Sequence, residues 1–237
     1  MRRPYLKKYG RVSKFTIWIV DGNYVRTNID EEFTNFGQHW RFLFIPKNEF
    51  WVDKEHKEGE ERYYIDHMLV ENRLMREGKS FAEASDAAEL IEKRERSKSD
   101  LLKRNIKKIS LRKIVIDKIH KTLFKKNLNG LHVWIVNGEL VRDLLFVNFT
   151  EGGHDKVYHF IPKNEIWLDD DVQIKERKFI LLHELYERRL MCTGWPYRST
   201  KKNPLSAHDA ASDIEYFYRH HPRLLNKRLV EELKNNS

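Results

Sequence analysis

The run His183-Glu184-Leu185-Tyr186-Glu187 sets an imidazole and a carboxylate four residues apart. On a helix those two positions share a face, so one divalent ion can take a ligand from each. His208, on the next stretch of helical pattern, offers a third ligand and leaves an open position for water. A metal bound there lowers the pKa of that water, and Glu184, beside His183, is placed to take its proton. The donor set of two imidazoles and one carboxylate points to zinc. Three residues stand as supports. Asp209 is a candidate assistant to the metal or a helix cap. Glu215 is a ligand, an orienter of a ligating histidine, or the partner of Arg189 in a buried salt bridge.

The elements that position these groups follow from periodicity. Phe179, Leu182, Leu185, Tyr186 and Leu190 recur at helical spacing from about Lys175, and Gly194 reads as a C-cap. A second helix is expected from Ser206 to His221-Pro222, with Ser206-Ala-His-Asp209 resembling a capping box. Ahead of the helices, Leu131 to Val136 is an apolar β run followed by Asn137-Gly138, a hairpin signal. A further β pair is expected at Val157 to Ile161 and Glu165 to Asp169, around a Pro-Lys-Asn turn that lacks the glycines of a phosphate loop. Gly152-Gly153-His154 reads as a turn, or as a mobile substrate loop.

The stretch Ile166-Trp-Leu-Asp169 followed by Phe179-Ile-Leu-Leu-His183-Glu184 resembles the strand-then-helix entry to a zincin-type metallopeptidase site, over residues 165–215 and at motif level. The resemblance implies His183 as ligand, Glu184 as general base, Glu187 as ligand where the family has its second histidine, and His208 as third ligand. The exchange of histidine and glutamate departs from the family order. A peptide or protein is the substrate implied.

The same pattern occurs earlier in the chain. With an offset of 116 residues, positions 18–78 align with 134–194 without a gap, and 25 of 61 positions are identical. Phe44-Ile-Pro-Lys-Asn-Glu49 matches Phe160 to Glu165, and Trp18 and Trp51, expected in the core, match Trp134 and Trp167. The first copy carries the same β signals: Phe15 to Val20, Asp21-Gly22-Asn23 as a turn, Tyr24 to Arg26, Trp40 to Ile45 and Glu49 to Asp53. It repeats His67 and Glu71 but has Met68 for Glu184 and Ser85 for His208. Two accounts stand side by side: the first copy holds a decayed site, or the His-Glu pair is a structural contact in both copies.

The expected fold class is α+β, a tandem duplication of about four short antiparallel strands followed by two helices, arranged as an intramolecular pseudo-dimer about a pseudo-two-fold. The expected divisions are a basic tail (1–14), a first module (15–96), a basic helical linker (97–130), a second module (131–221) and a C-terminal helical tail (222–237). The net charge of +9 is uneven: residues 1–14 carry +6 and residues 97–126 carry +9, while the rest is acidic or balanced. Lys103, Arg104, Lys107, Lys108, Arg112 and Lys113 are the candidate nucleic-acid contacts on the linker, on charge alone. The single cysteine, Cys192, excludes an internal disulfide and is expected to pack, and a cytoplasmic location follows. No apolar run reaches the length of a membrane span. Three functions fit: a metal-dependent, zinc-type hydrolase seated in the second copy, a non-enzymatic nucleic-acid-binding or scaffold protein, and a metal-dependent nuclease.

Overall fold

The computed structural model describes residues 3–98, 112–126, 130–201 and 203–236. It is α+β and divides into two compact units: residues 1–115 with 139–148, and residues 116–138 with 149–237. Each is built on a four-stranded mixed sheet.

In the first unit, β1 (Tyr5–Val12) and β2 (Phe15–Val20) form an antiparallel hairpin. The chain then turns into α1 (Gly22–Asn28), a short β3 (Phe36–Gln38) and β4 (Glu49–Asp53), and ends with α2 (Glu61–Arg76) and α3 (Phe81–Ser97). The sheet order is β1-β2-β4-β3. The central pair, β2 with β4, is parallel, from Thr16 opposite Glu49 to Val20 opposite Asp53. An all-antiparallel module is therefore corrected to a mixed one. The reason lies at Asp21-Gly22, which starts a helix instead of the expected hairpin turn. A helical crossover returns the chain to the same end of the sheet and permits parallel pairing.

Gly22 is required at that corner by close approach. Its N–H donates to Asp53 Oδ1 at 3.1 Å, and a Cβ there would overlap the Asp53 carboxylate. Arg26, one turn on, donates to Asp53 Oδ2 at 2.8 Å and to Glu55 Oε2 at 3.2 Å. The Gly22→Ala variant is expected to lose about 1–3 kcal/mol through overpacking against Asp53. Urea unfolding checks this, and an unchanged midpoint would refute it.

Both faces of the first sheet are covered. Phe15, Ile17, Phe50 and Val52 pack against Tyr64, Ile65 and Met68 of α2. On the opposite side, Val20 and Trp51 pack with Val25, Phe33, Phe42 and Ile45. Trp40 to Ile45 was expected as a strand; it forms turns, and Phe42 and Ile45 are buried anchors within them.

The second unit repeats the order. Helix α4 (Arg112–Ile119) leads into β5 (His120–Lys126) and β6 (His132–Val136), and α5 (Gly138–Leu144) follows, belonging to the first unit from Glu139 onward. Then come β7 (Gly152–His154), β8 (Glu165–Asp169), α6 (Arg177–Cys192), α7 (Ala207–His220) and α8 (Pro222–Asn235). The sheet order is β5-β6-β8-β7, with β6 and β8 parallel. Asn137-Gly138 again starts a helix, and Gly138 lies against Asp169 as Gly22 lies against Asp53. Val157 to Ile161 forms turns and not a strand. Trp51 and Trp167 are core residues as expected, while Trp18 and Trp134 are half-buried.

The two basic segments are also corrected. Residues 5–12 are an edge strand and not a tail, and residues 120–126 form its counterpart and not linker helix. Lys7, Lys8, Arg11, Lys121 and Lys125 are exposed on these edges, where charge discourages pairing with another chain. Lys103, Arg104, Lys107 and Lys108 lie outside the described residues, and Arg112 and Lys113 fall in α4. The C-terminal helix is core and not tail: Leu225 and Leu229 of α8 join Leu181, Leu182 and Leu185 in the apolar cluster of the second unit. Cys192 is exposed, contrary to the packing role expected for it. Among the described residues, no helix is long and apolar enough to cross a membrane.

Candidate metal centre

The second unit gathers His183, Glu187 and His208 so that one ligand atom of each lies within 4.8 Å of the others. Helix α6 carries His183 and Glu187 one turn apart. It closes on Gly194, whose φ of +94° ends the helix as expected. Ser206 Oγ accepts from Asp209 N at 3.0 Å and sets the start of α7, which brings His208 over α6. Glu187 Oε2 is 3.4 Å from His183 Nε2 and 2.9 Å from His208 Nδ1. Tetrahedral zinc with bonds of 2.0–2.2 Å spaces its ligands about 3.3–3.6 Å apart. The separation from Glu187 Oε2 to His183 Nε2 matches that spacing, and the one to His208 Nδ1 is somewhat shorter.

His183 is held from behind. Its Nδ1 is 3.1 Å from Glu215 Oε2, leaving Nε2 toward Glu187. Arg219 Nε donates to Glu215 Oε1 at 2.8 Å, and Arg219 Nη1 donates to Glu176 Oε2 at 2.6 Å. Glu215 thus sits between the His183 imidazole and the Arg219 guanidinium, where it fixes the ring. The expected Glu215–Arg189 bridge does not form. Arg189 Nε donates to Glu232 Oε2 of α8 at 2.7 Å, because α8 covers that side of α6. Asp209 is exposed in the first turn of α7 and belongs to the cap.

The charges answer to this geometry. Burial works against the Glu187 carboxylate, but hydrogen bonds from His154, His183 and His208 hold it well below the usual range. Burial also opposes charge on His183, and its bonds to Glu187 and Glu215 outweigh that and raise it well above the ordinary value. Glu184 is different. Buried beside the Glu187 charge, its carboxyl is pushed up to about 8. It makes no hydrogen bond or ion pair within the described chain. Room for it comes from Gly152, where a Cβ would stand 3.0 Å from Glu184 Oε1.

His154 was not anticipated as part of this site. The expected turn or mobile loop at Gly152-Gly153-His154 is strand β7, with His154 fully buried and its Nε2 2.9 Å from Glu187 Oε1. The signal was present in the internal alignment: Gln38 stands opposite His154 and Phe36 opposite Gly152. Tyr197, in the insertion peculiar to the second copy, packs its ring 5.2 Å from the His208 ring, which is itself 5.1 Å from the His183 ring. Burial and the nearby Glu187 charge push its phenol up to about 12.

The first unit shows what the shared residues do without the others. His67 Nδ1 is 2.8 Å from Glu92 Oε2 and its Nε2 is 3.6 Å from Glu71 Oε2. Arg96 bonds Glu92 and Glu60, as Arg219 bonds Glu215 and Glu176. Gln38 Nε2 donates to Glu71 Oε1 at 2.6 Å, and Phe36 stacks on Tyr64 beside Met68. The His–Glu pair and its arginine therefore recur in both units. Glu184, His154 and His208 are the additions.

Burial opposes protonation of His67, but bonds to Glu71 and Glu92 prevail and push it up to about 9. A histidine raised in the fold stabilises fully below its unfolded pKa near 6.5, and that stability is lost as pH rises through the folded value. The first unit is expected to lose about 3 kcal/mol between pH 6.5 and 9. Urea unfolding of the wild type and of His67→Gln across that window checks it. Parallel pH dependences in the two proteins would refute it.

Comparison with protein-family models, with characterised proteins and with solved structures finds no match for this chain.

Proposed function

We propose that the chain is a metal-dependent hydrolase of zinc type, acting on peptide bonds, with its site in the second copy of a tandem duplication. His183 Nε2, His208 Nδ1 and Glu187 Oε2 hold the ion, and Glu184 is the general base. One observation carries the reading. The imidazoles of His154 and His208 and the carboxyl of Glu184 converge on Glu187 in the unit where the other has Gln38, Ser85 and Met68. A purely structural pair needs none of these, since in the first unit Gln38 bonds Glu71 Oε1 and His67 stands 3.6 Å from Glu71 Oε2. The ion would supply a water of lowered pKa and polarise the scissile carbonyl. The chain's own part is to orient His183 through Glu215, to keep Glu187 ionised, and to present Glu184 without a competing partner.

The test is zinc content after dialysis against a weak chelator, together with hydrolysis of fluorescence-quenched casein. One zinc per chain, lost in His183→Ala and His208→Ala together with casein hydrolysis, is expected. Absence of bound metal overturns the reading. Metal with cleavage of a single-stranded DNA probe, and none of casein, would replace the peptidase with a nuclease.

A further inference from the structure

We infer that His154 is a positioning residue that turns Glu187 so that one carboxylate oxygen alone faces the metal. This rests on the reading of His183, Glu187 and His208 as ligands. His154 ends β7 with its side chain wholly buried, and both ring nitrogens are engaged. The backbone N–H of Lys156 donates to Nδ1 at 3.1 Å. An amide N–H can only donate, so Nδ1 presents its lone pair and the proton of the neutral ring is on Nε2. That Nε2–H donates to Glu187 Oε1 at 2.9 Å.

The two oxygens of Glu187 are thereby divided. Oε1 accepts from His154, and Oε2 faces His183 and His208. His154, Glu184 and Glu187 also lie within metal-ligating distance of one another. With its Nε2 protonated and its Nδ1 occupied by the Lys156 amide, however, the ring has no lone pair to give an ion. His154 acts through Glu187 and does not touch the metal.

The first unit supplies the control. At the matching strand position, Gln38 Nε2 donates to Glu71 Oε1 at 2.6 Å, and Gln38 Oε1 is fixed by Asn72 Nδ2 and Trp40 N, each at 2.9 Å. An amide N–H on the same strand residue thus performs the same task on the same oxygen. A glutamine should therefore replace His154 in function, whereas an alanine should not. Loss of an orienting partner lowers metal affinity by roughly 10–100-fold.

The experiment is competitive zinc titration of the full chain against a fluorescent chelator, for the wild type, His154→Ala and His154→Gln, with cobalt absorption spectra as a second readout. His154→Ala is expected to weaken zinc by about 10–100-fold, while His154→Gln keeps most of the affinity and leaves the cobalt bands in place. No zinc binding by the wild type overturns the metal reading itself. Zinc binding unaltered in His154→Ala overturns only the positioning role. Shifted cobalt bands and lost affinity in His154→Gln would make the imidazole a ligand and also overturn it. Should His154→Ala fail to fold, the spectra and affinity of His154→Gln decide between the two roles.

Discussion

Changing Glu184 to Gln is expected to lower casein turnover by about 10²–10⁴-fold, the usual range for removing a positioned general base, while zinc content stays at one per chain. The substitution is well suited to the question. Glu184 is buried, and burial beside the Glu187 charge raises its carboxyl, which strengthens it as a base. A glutamine has nearly the same shape, so the packing around Glu187 is kept. No hydrogen bond is broken either, since Glu184 makes none within the described chain. The side chain of Met68 occupies the matching place in the first unit without loss of its core. What the amide cannot do is accept a proton from water. Retained zinc with retained turnover would remove Glu184 from the mechanism. Lost zinc would make it a ligand.

The helices of the candidate site were legible because their signals are local. Helical apolar spacing around His183, the glycine at 194 and the serine at 206 each act within one turn. The strands were harder. Asp21-Gly22 and Asn137-Gly138 have the composition of a hairpin turn, and their helical outcome depends on carboxylates about 31 residues away that lie against the glycines. The short β3 and β7 strands, three residues each, carry too little periodicity to be read. For that reason His154 was missed, although it bonds the residue at the centre of the site. Its mark was a difference between aligned copies, Gln38 against His154, which local pattern alone does not reveal. The basic segments misled in the other direction. Their charge suggested a tail and a helix, while alternating backbone pairing made them sheet edges.

The arginine shared by both units separates architecture from chemistry. Arg96→Met and Arg219→Met are each expected to destabilise their own unit by about 3–5 kcal/mol, because each removes a buried guanidinium bonded to at least two buried carboxylates. Arg96 bonds Glu92, Glu60 and Asp143 at 2.7–3.1 Å, all with side chains at most 2% exposed. Arg142 remains on Glu60, so the deficit falls on Glu92 and Asp143. Arg219 holds Glu215 and Glu176, and Glu215 in turn holds His183. Hydrogen exchange should show faster opening of α2 and α3 in the first variant, and of α6 and α7 in the second. The two variants should part company on zinc. Glu215 without Arg219 loses the charge that, against burial, holds it down at about 2, and with it the firm bond that aims His183. Zinc should therefore bind more weakly in Arg219→Met and unchanged in Arg96→Met. Equal zinc affinity in both, with both destabilised, would make the His183–Glu215–Arg219 chain structural in the second unit.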